Sequence, residues 1–276
     1  MGSFACVQLQ NPLLNVIACH LPADKLARMR RKSLLLLLGL ALFIACALFL
    51  WSRTKSATPA FIGSNRIGYY NLVRAVNLLQ DLNHDPATNY IATYLQTNAA
   101  ALMLLREALT EPCEAPPETY QAGMVNVTDI GAFKNLALVL KVEGRQAELQ
   151  HRPADAARSY LDMIRLGQKI ESGPLVSLMI GLSIEKSGLE SLENIELHLT
   201  GPSRAEVATA LKKINTHRIP FSAIEERERY IRRKLSPTPL HYMIASRAVR
   251  SAMNKGQEKY EATKIATEHL ATKLGK

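Results

Sequence analysis

Hydrophobic positions recur at helical spacing along nearly the whole chain, and one early stretch is apolar with no period at all. From Leu34 to Trp51, LLLLLGLALFIACALFLW holds 18 residues without a charge. A helix of that length is about 27 Å long, close to the ~30 Å hydrocarbon core of a bilayer. The pattern therefore predicts a transmembrane helix over 33–51. Downstream the period changes to 3.6. Tyr69, Leu72, Val73, Val76 and Leu79 mark a helix over 66–82, with Ser64 or Asn65 as its cap. Asp85-Pro86 opens a second helical stretch reaching about Leu109, with an interruption near Thr97-Asn98. Pro112, Pro116, Pro117 and Gly123 end it and predict a long loop or extended segment over 111–127.

The most regular part runs from Ile130 to Ile170. Phe133, Leu136, Ala137, Leu140, Gly144 and Ala147 trace one face of a first helix, with Lys141, Arg145 and Glu148 on the other side. His151-Arg152-Pro153 makes a tight break, after which Ala156, Tyr160, Met163, Ile164 and Gly167 trace the buried face of a second helix. Two amphipathic helices joined by so short a turn pack antiparallel. After Ser172-Gly173-Pro174, the segment Leu175–Leu199 begins apolar nearly all round, which makes it the expected central helix, with Gly181 and Gly188 permitting close approach of neighbours. Thr200-Gly201-Pro202 ends it, and Ser203-Arg204-Ala205-Glu206 reads as a capping box opening a helix to about Thr216. Pro220 and Phe221 begin another, Ser236-Pro237-Thr238-Pro239 breaks the chain again, and Leu240–Leu274 carries a poor apolar stripe. This tail is expected as a long, weakly packed helix or a partly disordered one.

Gly144, Ala156 and Tyr160 have the spacing of a tetratricopeptide-type hairpin: a small residue in the first helix, Ala twelve residues later and an aromatic four beyond. ADAARSYLDMIRLG resembles the second helix of such a repeat. Ala147 stands where the first helix usually has an aromatic, and Asn98–Leu109 is only a faint echo of a second copy. The resemblance covers about residues 133–170 and implies helical-hairpin packing and protein–protein contact. With SYLDMIRLGQKI and ERERYIRRKL, the same region is also similar to uncharacterised single-pass, membrane-anchored bacterial proteins with a helical ectodomain, a resemblance that implies no activity. The expected fold class is thus all-α: one N-terminal transmembrane helix plus an irregular helical-hairpin domain, tetratricopeptide-like or α-solenoid-like. The expected organisation is a basic leader over 1–32, the span over 33–51, a tether over 52–64, a helical domain over 65–235 and a basic C-terminal helix or tail over 236–276.

Charge sharpens this division. The net charge is +10, but residues 1–51 carry +4, residues 65–202 carry −5 and residues 203–276 carry +9. Lys25, Arg28, Arg30, Arg31 and Lys32 precede the apolar run and only Arg53 and Lys55 follow closely, which puts the leader in the cytoplasm and the large domain outside. The long basic leader argues for a retained anchor rather than a cleaved signal peptide. Cys113 is the only cysteine of the large domain, so no disulfide forms within it.

The residues offer little chemistry. No phosphate-binding glycine loop, zinc-ligand spacing or nucleophile elbow is present. No catalytic, cofactor-binding or metal-ligating residue is assigned, and no cofactor is expected. The seven His residues are scattered, with His151, His198 and His217 at helix ends, where they suit the last carbonyls. Glu185 is the one carboxylate expected to be buried, either for function or paired with an Arg; Glu143 and Glu107 invite the same reading. The dense charge cluster Glu225–Lys234 offers Arg227 and Arg233 as anchors for the acidic middle block. Aromatic interleaving is absent, which argues against nucleic acid. The expected function is a membrane-anchored helical interaction or scaffold protein of the cell envelope, contacting lipid through 33–51 and a protein partner through its domain. The alternatives are an envelope hydrolase near Glu185 or the Pro-rich loop, and docking of the basic end to anionic lipid or wall polymer.

Overall fold

In a computed structural model, residues 39–40, 42–46, 48, 66–80, 87–113, 127–236 and 238–276 are described. The chain divides into two compact units, Met1–Ala57 and Thr58–Lys276. In the first, the described residues between 39 and 48 are helical, and Gly39 has open space around it.

The expected combination of a span with a helical domain is corrected on its first part. Among the described residues, no helix is long and apolar enough to cross a membrane. The rest of the expected span, the leader and the tether lie outside the described residues, as does most of the Pro-rich loop.

Every regular element of the described second unit is helical. α1 is Ile67–Asn77; a 3₁₀ turn at Thr88–Tyr90 leads into α2, Ile91–Thr97, and α3 follows as Ala99–Thr110. Asn98 is the interruption the sequence announces at this point. Its Oδ1 accepts from the Gln80 amide at 2.9 Å, and its Nδ2 donates to the carbonyls of Gln80 and Tyr94, so the kink is bonded to the end of α1.

α4, Val127–Leu149, and α5, Pro153–Glu171, form the hairpin. His151 adopts φ 54°, in the left-handed region, and the Arg152 amide donates to Ala147 O at 2.8 Å, the closing bond of a Schellman-type helix end. Pro153 occupies the first position of α5, where a missing N–H leaves nothing unsatisfied. Tyr160 lies directly over Gly144: a Cβ there would stand 2.4 Å from the ring, and the phenol donates to Glu148.

α6, Leu175–Ile195, packs most extensively on α5 and also meets α4 and a C-terminal helix, so it is central as expected. A 3₁₀ turn at Glu196–His198 leads to α7, Gly201–Thr216. The cap of α7 is not Ser203 but Thr200, whose side chain accepts from the Ser203 amide. Gly201-Pro202 enters the first turn because proline there forfeits no helical hydrogen bond. α8 is Phe221–Leu235 and α9 is Pro239–Leu274. The tail is therefore one helix of 36 residues, about 54 Å long. Its C-terminal half packs on α7 and α6 through Tyr260, Thr267, Leu270, Ala271 and Leu274.

Among its described residues, the unit has two apolar cores. The larger joins α1 to α7 with the end of α9 around Leu72, Leu105, Leu140, Ile164, Leu192 and Leu211. The smaller joins the first half of α6 to α8 and α9 around Leu178, Leu182, Ile224, Met253 and Tyr260.

Candidate functional site

The first polar constellation sits in the interior. Glu171 ends the buried stripe of α5, seven residues after Ile164, and Glu185 occupies the middle of α6. Between them the helices meet on glycine. A Cβ on Gly167 would stand 2.6 Å from Gly181 O, and one on Gly181 would stand 2.5 Å from Gly167 O. Arg218, in the turn between α7 and α8, inserts its guanidinium beside both carboxylates. It grips Glu185 with two nitrogens, at 2.7 and 3.3 Å, and reaches Glu171 at 3.3 Å. Its Nε donates to Asn215 Oδ1 at 3.2 Å, and its Cζ lies 5.5 Å from the centre of the Tyr260 ring. The side chains of Arg218, Glu171 and Glu185 are 2%, 1% and 0% exposed.

Two carboxylates and one guanidinium would leave a net negative charge in a closed interior, which is strongly unfavourable. Burial, and then the neighbouring Glu185 charge, raise the Glu171 carboxyl well above its ordinary range. Burial raises Glu185 as well, and Arg218 opposes it. Glu171 is thus the group that keeps a proton, hydrogen-bonded to Glu185, while Glu185 is the ionised partner of Arg218. Burial pushes the Tyr260 phenol up to about 12, and its hydroxyl donates to Ile219 O at 2.7 Å. A cluster so enclosed offers a substrate no approach. It ties α5, α6, the α7–α8 turn and α9 together where the two cores meet.

The second constellation is open. α2, α3, α4, α5 and α7 border a groove of about 1080 Å³. Met103, 71% exposed, lies in it with Leu95 and Ala99. Arg106 reaches across from α3, bonding Glu143 of α4 at 2.5 Å and Asp162 of α5 at 3.4 Å. Glu143 also accepts from Ser159 Oγ at 2.7 Å, and Arg165 holds the other Asp162 oxygen at 2.7 Å. Arg152 and Arg158 both pair with Asp155. The groove is lined by four arginines and four carboxylates, so its charge is balanced.

No family model matches the chain, no curated protein matches it, and no solved structure matches it.

Of the carboxylates singled out in the sequence, Glu185 is buried and paired with an arginine, Glu143 belongs to the groove, and Glu107 is exposed on α3. Sequence reasoning missed Arg218 and Glu171. Glu171 was visible as a carboxylate continuing the apolar stripe of α5, which demands a cation; Arg218 stands alone between two helices and carries no periodic signal. Of Arg227 and Arg233, Arg227 reaches the acidic block, at Ser172. It donates to the Ser172 carbonyl, and Arg233 lies 5.9 Å from the Tyr242 ring centre. Glu228 of the same cluster accepts from the Leu175 amide at 3.0 Å and so satisfies the first turn of α6. Among the described residues, no group of three His, Cys, Asp or Glu could hold a metal ion.

Proposed function

We propose that this protein is a helical interaction module that holds an extended protein segment in the groove between α2–α3 and α4–α5. The observation that carries the reading is the placing of exposed Met103 beside Arg106, which spans the groove to Glu143 and Asp162. An exposed methionine supplies adaptable apolar contact, and paired charges of both signs supply hydrogen-bonding groups for a peptide backbone. A balanced lining does not favour a polyanion, which a uniformly basic surface would. The tetratricopeptide-like spacing of Gly144, Ala156 and Tyr160 supports the same reading, since the α4–α5 hairpin built on those residues forms one wall.

Selection of a displayed random-peptide library on the full chain tests it. Selected peptides are expected to lose tenfold or more in affinity on Met103→Asp and on Arg106→Ala, with the thermal midpoint of Met103→Asp unchanged because that side chain is exposed. Peptides that bind the wild type and both variants equally would place recognition elsewhere and overturn the assignment.

A further inference from the structure

Between Arg229 and Gln257 the chain has seven basic residues and no acidic one. The same stretch exposes Leu240, Met243 and Ile244 by 63%, 67% and 62%. Their i, i+3, i+4 spacing places them on one face of α9, and exposed Arg247 and Arg250 continue that face. The opposite side is occupied, since Val249, Met253 and Tyr260 belong to the smaller core. The basic end of α8 meets the start of α9 where the Arg233 guanidinium lies beside the Tyr242 ring, and Lys234 is exposed next to it. Arg229 and Arg232 are engaged by Glu225 and Glu228 at 3.7 and 3.5 Å. Lys234, Arg247, Arg250 and Lys255 are exposed. The contrast within α9 is informative. Its second half, which packs on α7 and α6, mixes Glu258, Glu261 and Glu268 with its lysines; the half with the exposed apolar face is basic throughout.

We propose that the α8–α9 corner docks on an anionic lipid surface, with Leu240, Met243 and Ile244 entering the headgroup layer and the flanking Lys and Arg side chains meeting lipid phosphates. An amphipathic helix face of long apolar side chains ringed by basic ones fits that interface, where burial of the apolar face and attraction to acidic headgroups act together. Duplex nucleic acid would use the charge but leave the three apolar side chains in water. The corner uses no residue of the groove, so it stands whether or not a peptide binds there.

The test follows the corner itself in the full chain. Trp51, the only native tryptophan, is changed by Trp51→Phe, and Met243→Trp reports on the exposed face. With phosphatidylcholine vesicles containing about a third phosphatidylserine, its emission shifts to the blue and is quenched by brominated acyl chains. The response is absent with phosphatidylcholine alone and is lost at high salt. Adding Arg247→Gln and Arg250→Gln weakens the partitioning about twenty-five-fold, at the roughly fivefold per basic residue expected near such a surface. An unchanged emission overturns the proposal, as does equal quenching by neutral and anionic vesicles, or a response to duplex DNA without one to vesicles.

Discussion

Gly167 and Gly181 face each other so closely across α5 and α6 that a Cβ on either would stand within 2.6 Å of the other's carbonyl oxygen. The atom in the way is backbone, so the helices themselves would have to separate. This contact brings Glu171 and Glu185 within reach of a single guanidinium. Gly181→Ala is expected to destabilise the protein by about 1–3 kcal/mol through overpacking. Gly201, in the first turn of α7, has open space around it, and Gly201→Ala should be neutral or stabilising by up to about 1 kcal/mol. Urea midpoints of the two variants make the comparison; equal effects would mean that the α5–α6 contact is looser than described.

Arg218 is the only cation bonded to the two interior carboxylates among the described residues. Arg218→Met leaves them without it and is expected to cost about 3–5 kcal/mol. The companion variant Arg218→Met with Glu171→Met and Glu185→Leu removes all three charged groups, and should recover most of that loss because no uncompensated charge remains. If the triple variant is no more stable than the single one, the stabilising contribution lies in the packing of the Arg218 stem rather than in its charge.

The raised Glu171 carboxyl gives a pH dependence of definite sign. Below about 4.5, its ordinary value, folded and unfolded chains both hold the proton and its contribution is fully present. As pH rises, the unfolded chain releases the proton while the folded one keeps it, so stability falls until the folded group titrates too. Glu171→Gln mimics the protonated form at every pH. It should match the wild type near pH 4.5 and exceed it by on the order of 1 kcal/mol or more at pH 8, about 2–4 °C in Tm per kcal/mol for a unit of this size. Urea titrations at both pH values measure the gap. A gap independent of pH would show that Glu171 folds as a carboxylate.

Much of the domain was legible because its signals are local. The proline and glycine breaks at Pro153, Pro174, Pro202 and Pro239 each fall within or beside the first turn of a helix, and the stripe Phe133–Ala147 is buried in the larger core. The expected span is the large correction, since among the described residues no helix is long and apolar enough to cross a membrane. α9 was underestimated for a different reason. The face it buries includes Gly256, Thr267 and Ala271, small or polar residues that add little to an apolar stripe yet allow close packing. The interior cluster was half legible: Glu185 lies in an apolar run, but its partner comes from a turn 33 residues later, and no local pattern reports a pairing at that separation. Of the groove, only the wall formed by the α4–α5 hairpin with Glu143 was legible, because the rest depends on five helices whose adjacency is tertiary.

Asn98 offers the clearest test of how the first three helices are held. The residue is 0% exposed, and its amide group satisfies one donor and two acceptors of the main chain around the α2–α3 kink. Asn98→Ala removes the side-chain partner of the Gln80 amide and carbonyl, while the Tyr94 carbonyl keeps the main-chain N–H of residue 98, and a loss of about 1–2 kcal/mol is expected. Asn98→Asp preserves shape and the acceptor but replaces the donating nitrogen by an oxygen facing the Gln80 and Tyr94 carbonyls. That variant should be less stable than Asn98→Ala at neutral pH and should recover at acid pH, where a protonated Asp can donate again. Urea midpoints at pH 4 and pH 7, with hydrogen exchange at the Gln80 amide as the local readout, measure the effect. An Asp variant as stable as the wild type at pH 7 would mean that the nitrogen makes no bond to those carbonyls and that the kink is held by packing alone.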